Sequence, residues 1–317
     1  MRRDESAFRV DVFEYEEVDQ ATGAIRRVVI PDPRRYEVIE SDGETVLFDK
    51  LDKTSFPYAE IMESVTEHMA ATPATHERQD IDDANDYIES RRRLIAEALD
   101  GALEASPCED PSEVYLESVG EGQLAFVVLS VDIVGSTIMS MDLSEEDYAR
   151  VITVFAAELS LIAKLFHGRV LNYPGDGLIV FFPEPNLMRK HDLAIDCALT
   201  MRALVRAALA PELSARGLPP IRVRIGLDSG KAPVVTMGAP GAKRQKNLIG
   251  RTINLASKIQ AQCGPDEILL GETAARQLHT MWRVHLDPKA TDAGWTYSYE
   301  DDTPYKVFRL SDWDEPQ

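Results

Sequence analysis

Two aspartates, each near the end of an apolar run and each in a turn that contains glycine, are the residues of this chain best placed to do chemistry. Asp132 follows the apolar segment Phe126 to Ser130 and opens the turn Asp132-Ile133-Val134-Gly135-Ser136-Thr137. Asp176 lies in Pro174-Gly175-Asp176-Gly177, inside the hairpin-like stretch Arg169 to Phe182. If the two strands are neighbours, their ends bring two carboxylates to one point. Hard divalent cations such as magnesium or manganese take oxygen ligands, and shared carboxylates bridge a pair of them. The backbone N–H groups of the Gly-Ser-Thr turn can face phosphate oxygens before the next helix begins. Together these features read as a nucleotide–metal site.

Two further groups bear on a phosphorylated substrate. Lys243, Arg244 and Lys246 form a small basic cluster just before Asn247-Leu248-Ile249-Gly250, although a solvated loop accounts for it equally well. Asn254 and Lys258 are four apart on a helical pattern and so share a face. Elsewhere the sequence argues for absences. The formal charge of -20 opposes non-specific contact with nucleic acid or an anionic membrane, without opposing a single nucleotide held by local cations. Cys108, Cys197 and Cys263 have no metal-ligand spacing, so free thiols in a reducing compartment and no zinc are expected. No apolar run has the length of a membrane span and no signal peptide follows Met1, so the expectation is a cytoplasmic protein.

The elements that must position these groups can be read from periodicity. Residues Ser6 to Phe48 are strand-like, with Asp-Gly and Pro-rich turns, and suggest a small antiparallel sheet. Tyr58 to Met69 and Ile81 to Leu103 read as helices, and Ala105 to Glu113, with two prolines, as a linker. The expected organisation is an N-terminal α/β region, 1–113, with a structural or oligomerisation role, and a second domain, 114–312. In that domain Tyr148, Val151, Ile152, Phe155, Leu159, Ile162 and Phe166 form one apolar stripe, expected to be core. His167 before Gly168 is expected at a helix end. Ile221 to Leu227 reads as a strand ended by Asp228-Ser229-Gly230, with Ala232 to Met237 returning as its hairpin partner. Lys289 is expected in a loop. The order β-α-β-β-α-β-β-α-β-α, closed by a strand, predicts an α+β domain with helices on a mainly antiparallel sheet. Neither G-x-G-x-x-G nor the P-loop fingerprint occurs, so a phosphate site must be built another way.

Four segments in this order resemble the catalytic domain of class III nucleotidyl cyclases, which has a ferredoxin-like fold. They are Val131-Asp132-Ile133-Val134-Gly135-Ser136-Thr137, then Gly175-Asp176-Gly177, then Val223-Arg224-Ile225-Gly226-Leu227-Asp228-Ser229-Gly230, and finally Ile249 to Lys258. The resemblance implies a homodimer with active sites at the interface and two divalent ions, Mg2+ or Mn2+, held by Asp132, Asp176 and the Ile133 carbonyl. It implies that Val134, Gly135, Ser136 and Thr137 hold the triphosphate and that Asn254 from the partner orients the ribose. Lys258 falls where the family usually has an arginine that stabilises charge on phosphorus, and Arg251, about two turns earlier, is the other candidate for that role.

The resemblance also places the base contacts. The residue three before the Gly of the second and fourth segments meets the base, and adenylate cyclases typically carry Lys and Asp there. This chain has Asn172 and Asn247, which match neither the adenylate nor the guanylate pattern. Asparagine offers both a donor and an acceptor to uracil or cytosine. Tyr173 beside Asn172 either fills the space left by a smaller ring or is a core tyrosine. The pattern is similar to the bacterial pyrimidine cyclases of anti-phage defence, which implies UTP, then CTP, as substrate and a separate cyclic-nucleotide-responsive effector as partner. A purine cyclase and a catalytically degenerate nucleotide-binding regulatory domain are the alternatives.

Overall fold

The computed structural model describes residues 11–18, 25–41, 43–63, 84–102, 111–183, 190–239 and 244–311. Lys243, Cys108, the core of the 105–113 linker and the distal part of the Tyr58 to Met69 helix lie outside the described residues, while 58–63 are helical. The chain divides into two compact units, 4–78 with 276–284, and 79–275 with 285–317.

The smaller unit contains two antiparallel sheets. β1 (Val12–Val18) pairs with β2 (Ile25–Pro31), and β3 (Tyr36–Ser41), β4 (Glu44–Asp49) and β5 (Thr54–Pro57) form the other. β5 carries no clear alternation and escaped the sequence reading. Arg35 is fully buried, and its guanidinium donates to Asp49 at 2.9 Å and Asp11 at 3.1 Å, the pairing a buried cation requires. Asp11 also accepts from the backbone N–H and hydroxyl of Thr280, and Asp52 accepts from both Nη atoms of Arg283. The excursion 276–284 is thus bound into this unit by carboxylates spread over its first fifty residues.

In the larger unit, α1 (Ala84–Glu97) and α2 (Pro111–Val119) precede the central strand β6 (Gln123–Ile133). Residues 84–102, which the linker at 105–113 groups with the N-terminal region, therefore fall in the same unit as the two aspartates. α3 (Ser136–Asp142) and α4 (Glu145–Leu165) follow, then β7 (Arg169–Asn172) and β8 (Leu178–Pro183). α5 (Lys190–Leu204) continues through a wider turn into α6 (Ala210–Ala215). β9 (Val223–Met237), β10 (Gln245–Leu248), α7 (Arg251–Ala261), β11 (Ile268–Gly271), α8 (Glu272–Gln277), β12 (Leu286–Lys289) and β13 (Val307–Leu310) complete it. The sheet order is β12-β13-β11-β9-β6-β8-β7, with β10 on the far end of β9 and only β9–β11 parallel. The mainly antiparallel α+β arrangement read from the sequence is the one observed.

Ser144 caps α4 by accepting from the Asp147 N–H, and three carboxylates sit in its first turn, the favourable end of the helix dipole. Its buried face is Val151, Val154, Phe155, Leu159, Ile162 and Ala163, close to the stripe read from the sequence. His167 follows the helix with φ 60°. On one side of the sheet Phe126, Val128, Ile179, Phe181 and Val234 pack with Leu116 of α2 and Ile253 and Ala256 of α7.

One strand assignment is corrected. Asp228-Ser229-Gly230 does not end a strand, and Ala232 to Met237 is not a hairpin partner; β9 runs unbroken from 223 to 237 and β10 is its return partner. Gly230 serves close approach, because a Cβ there would fall on the Thr252 hydroxyl, and Gly226 stands in the same relation to the backbone of Gln260. These glycines seat α7 against β9. Lys289, expected in a loop, ends β12 and is ion-paired with Glu267 at 2.7 Å.

Candidate active site

The β6–β8 ladder pairs Val131 with Leu178, so Asp132 and the turn carrying Asp176 meet at one edge of the sheet. The turn is closed by the Gly177 N–H donating to the Pro174 carbonyl at 3.1 Å, with Gly175 at φ 65°, a conformation that suits glycine. Gly177 must also lack a side chain, since a Cβ would lie 2.8 Å from the Val131 carbonyl oxygen and 3.3 Å from Asp132 Oδ1. Asp176 is close enough to Asp132 for the two carboxyl groups to influence each other's charge. Burial, first, and the neighbouring Asp176 carboxylate raise the Asp132 carboxyl above its ordinary value, while the Arg224 guanidinium pulls it down. Asp176 Oδ2 is buried and has no hydrogen-bond partner among the described residues. Two adjacent carboxylates with an unpaired buried oxygen are an incomplete electrostatic arrangement, and a cation completes it.

Arg224, on β9 across from Asp132 in the β6–β9 register, donates to Asp132 Oδ2 at 2.6 Å, and Gln260 of α7 approaches the same oxygen at 3.4 Å. Neither residue was singled out from the sequence. Arg224 belongs to an alternating strand pattern that only the β6–β9 pairing points at Asp132. Tyr148, counted in the apolar stripe, is instead half-buried and lies where the Asp176 and Asp132 charges, after its own burial, raise its hydroxyl.

Around the pair, Ile133 is buried at the end of β6, and Val134 is tied by its N–H to the Arg222 carbonyl at 2.9 Å. Gly135 turns with φ 74°, Ser136 is buried and Thr137 is exposed. These four residues are adjacent to Asp132 by chain connectivity. Asn254, Lys258 and Arg251 are exposed on α7, where Asn254 and Lys258 share a face. Asn172 is exposed at the end of β7, and the adjacent Tyr173 places its hydroxyl 3.1 Å from Ser160 Oγ, so it is not a core tyrosine. Asn247 is half-buried on β10. The residues next to the two asparagines, Leu171 and Leu248, belong to one apolar cluster, so Asn172 and Asn247 flank the same piece of core. Of the basic cluster, Arg244 is exposed and Lys246 half-buried.

Residues 122–292, more than half of the chain, match the adenylate and guanylate cyclase catalytic domain. The chain belongs to this family. The cyclase domain is 26% identical over 154 residues to a cytidylate cyclase of Staphylococcus aureus, covering 47% of this chain and 36% of that protein. It is 25% identical over 198 residues to a cytidylate cyclase of Escherichia coli, covering 57% and 41%. The chain therefore spans less than half the length of these curated relatives. The fold is shared with the crystal structure of the adenylyl cyclase CyaB from P. aeruginosa, at TM-score 0.53 and 22% identity over 62% of this chain and 98% of that one.

A class III cyclase fold implies divalent-metal-dependent catalysis, and the cyclase domain offers a donor set that suits it. Asp132 and Asp176 supply hard oxygens, and among the described residues no third His, Cys, Asp or Glu joins them. Magnesium and manganese commonly take one or two carboxylates and complete their shell with water and substrate phosphates. Among the described residues no helix is long and apolar enough to cross a membrane.

Proposed function

We propose that this chain is a nucleotidyl cyclase, converting a nucleoside triphosphate to its 3′,5′-cyclic monophosphate and pyrophosphate. The observation that carries the reading is the Asp132–Asp176 pair with its unpartnered buried oxygen, on the ends of β6 and the β7–β8 turn. The 3′-hydroxyl attacks the α-phosphorus, its proton passes to water, and the bond to the pyrophosphate leaving group breaks. Two divalent ions bound at Asp132, Asp176 and the Ile133 carbonyl would lower the pKa of the hydroxyl and neutralise the phosphates. The chain's own residues mainly position charge. Val134, Gly135, Ser136 and Thr137 cradle the triphosphate beside Asp132. Arg224, already on Asp132, holds that carboxylate in place. Asn254 and Lys258, with Arg251, lie exposed on α7 and complete the site from a second copy of the chain, orienting the ribose and meeting the charge on phosphorus.

Within this reading we propose a pyrimidine substrate, UTP before CTP, with Asn172, Asn247 and Tyr173 at the base. The support for a pyrimidine is the absence of the Lys–Asp pair that reads adenine and the names of the two cytidylate cyclase relatives, which speak for CTP; the order UTP before CTP rests on Asn172 and Asn247 alone. We further propose a cytoplasmic homodimer supplying a cyclic pyrimidine nucleotide to a separate effector, as in anti-phage defence, on the resemblance of its motifs to the bacterial pyrimidine cyclases. The fold does not choose the base, since a named adenylyl cyclase shares it, and a purine cyclase is the alternative reading. The test is product formation from ATP, GTP, CTP and UTP in parallel with manganese, read by mass. A cyclic pyrimidine product supports the proposal; a cyclic purine product overturns the substrate assignment; no product from any of the four overturns the enzyme reading in favour of a nucleotide-binding regulatory domain.

A further inference from the structure

A cavity of about 510 Å³ lies against the turn that follows Asp132, between α3 and the loop that leads from α6 into β9. Val134 and Gly135 of the turn, Ile138 of α3, and Leu143, Leu218 and Ile221 give it an apolar wall, and neither Asp132 nor Asp176 lines it. Small-molecule sites run to about 300–1,000 Å³, so the size is suitable. Ile138 is 66% exposed, and an apolar occupant would take this large side chain out of water. The one ionisable side chain lining the cavity is Asp142, whose carboxylate has no hydrogen bond or ion pair among the described residues. A second cavity, about 560 Å³, meets the first at Asp142 and Leu143. Its two arginines are committed elsewhere. Arg216 directs all its N–H groups to Asp100, to the Glu212 carboxylate and to the Glu212 and Ala96 carbonyls, and Arg150 is paired with Glu146 and Asp147. The junction of the two cavities is therefore left with one uncompensated negative charge, at Asp142.

We propose that this cavity is a second ligand site, for a small organic cation: a protonated amine at Asp142, carried on an apolar body that packs against Ile138, Leu143 and Leu218. A neutral apolar molecule would leave Asp142 unmatched, and an organic anion would set like charge against it. The site is joined to the turn through the backbone. The Gly135 carbonyl accepts the N–H groups of Ile138 and Met139 at 3.0 and 3.1 Å, and the Leu143 N–H donates to the Met139 carbonyl at 3.0 Å. Turn, α3 and Leu143 are thus one hydrogen-bonded piece, and its far anchor is the Val134 N–H on the Arg222 carbonyl at 2.9 Å. An occupant touching Val134 and Gly135 bears on residues that meet the triphosphate from their other side, so the two ligands change each other's affinity, each by the same factor. This coupling, unlike the site itself, rests on the reading above that residues 134–137 hold the triphosphate.

The probes are phenethylamine, phenethyl alcohol and phenylacetate, which share a body and differ in charge, titrated calorimetrically at neutral pH into the full native chain, Asp142→Asn and Leu218→Trp. Asp142→Asn keeps the shape of an exposed, unpartnered side chain and removes its charge, whereas Leu218→Trp fills the cavity; circular dichroism and thermal melting check that both fold. The amine is expected to bind the native chain about tenfold or more tightly than the alcohol or the acid. Asp142→Asn should lose that preference, and Leu218→Trp should weaken all binding. No binding of the amine, an amine bound no better than the alcohol, or amine binding equal in the native chain and either variant overturns the site. Absence of amine binding together with a dimer that Leu218→Trp dissociates in sedimentation assigns the cavity to a second copy of the chain instead. Binding of 3′-deoxynucleoside triphosphates, which cannot cyclise, is then measured with manganese in the absence and presence of saturating amine. A changed affinity supports the coupling, and an unchanged one overturns it while leaving the site. Failure of any nucleotide to bind under either condition overturns the triphosphate reading, and the amine titrations decide the site alone.

Discussion

Replacing Asp228 by Asn removes a carboxyl from the middle of the sheet, and its consequence for stability can be worked from its surroundings. Asp228 is 1% exposed, and burial pushes its pKa from the ordinary 3.8 up to about 7, against the opposing hydrogen bonds from Tyr305, Ser229 and Ala274. The Tyr305 hydroxyl lies 2.8 Å from Oδ1 and the Ser229 N–H 2.9 Å from it, and Gly271 has no side chain to crowd them. The Tyr305 oxygen also lies 3.0 Å from the Thr273 hydroxyl, so the hydroxyl chain can run toward an ionised Asp228 or away from a protonated one. A carboxyl whose folded value exceeds its unfolded value favours the folded state at low pH. That contribution is complete below about 3.8 and is lost as pH rises through about 7. At about 1.36 kcal/mol per tenfold step, the full loss is about 4 kcal/mol. Asn cannot ionise and does not share this loss, although its NH2 enters a site already supplied with donors, at a pH-independent cost of about 1–3 kcal/mol. About 1.7 kcal/mol of the native contribution is already lost at pH 5, so urea unfolding of both proteins at pH 5, 6, 7 and 8 should show Asp228→Asn close to the native stability at pH 5 and gaining about 2.6 kcal/mol on it by pH 8, where the variant is the more stable. All other titrating groups cancel in the difference. A stability difference that does not change between pH 5 and 8 would refute the reasoning.

Further outcomes follow from the same geometry. Asp132→Asn and Asp176→Asn should each abolish metal-dependent turnover and the rise in melting temperature that manganese gives the native chain, without loss of fold; retained activity in either would remove that carboxylate from the site. Arg91→Ala should cost about 3 kcal/mol in urea unfolding, because Arg91 makes a two-pronged ion pair, at 2.8 and 2.6 Å, with a Glu158 side chain only 4% exposed. A chain beginning at residue 114 lacks that guanidinium and should be destabilised in the same way, whereas one beginning at residue 79 keeps this ion pair and loses instead the Asp11 and Asp52 contacts to Thr280 and Arg283. Gly230→Ala should cost about 1–3 kcal/mol through collision with Thr252, and Thr252→Ala should recover most of it, measured by thermal melting of the single and double variants. Failure of that rescue would mean that Gly230 matters for something other than the seat of α7.

Much of the fold and the heart of the site were legible along the chain, because each depends on short-range pattern. Apolar alternation marks β6 and β8, a tight glycine turn marks the Asp176 corner, and the spacing of Val151, Phe155, Leu159 and Ile162 marks α4. Asp132 and Asp176 could be paired in advance because an antiparallel pair of strands has few ways to bring its ends together. The family motifs carried the remaining candidate site residues, Asn172, Asn247, Asn254 and Lys258, as positions without environments.

Tertiary structure decided what depends on distant pairing. Arg224 reaches Asp132 across 92 residues of chain, and Tyr305 reaches Asp228 across 77, through a strand order that local periodicity does not encode. Gly230 has the same letter whether it turns a chain or lets a helix approach, and only the Thr252 contact distinguishes the two. Tyr148 fits an apolar stripe until the fold brings it under the influence of two carboxylate charges. Likewise Asn247 carries both a donor and an acceptor in the sequence, and only the structure shows its oxygen accepting the Leu248 N–H. Side-chain type and spacing determine which groups are available; strand register and helix seating determine what each one faces, and hydrogen bonding is directional and short-ranged enough that this difference sets the chemistry.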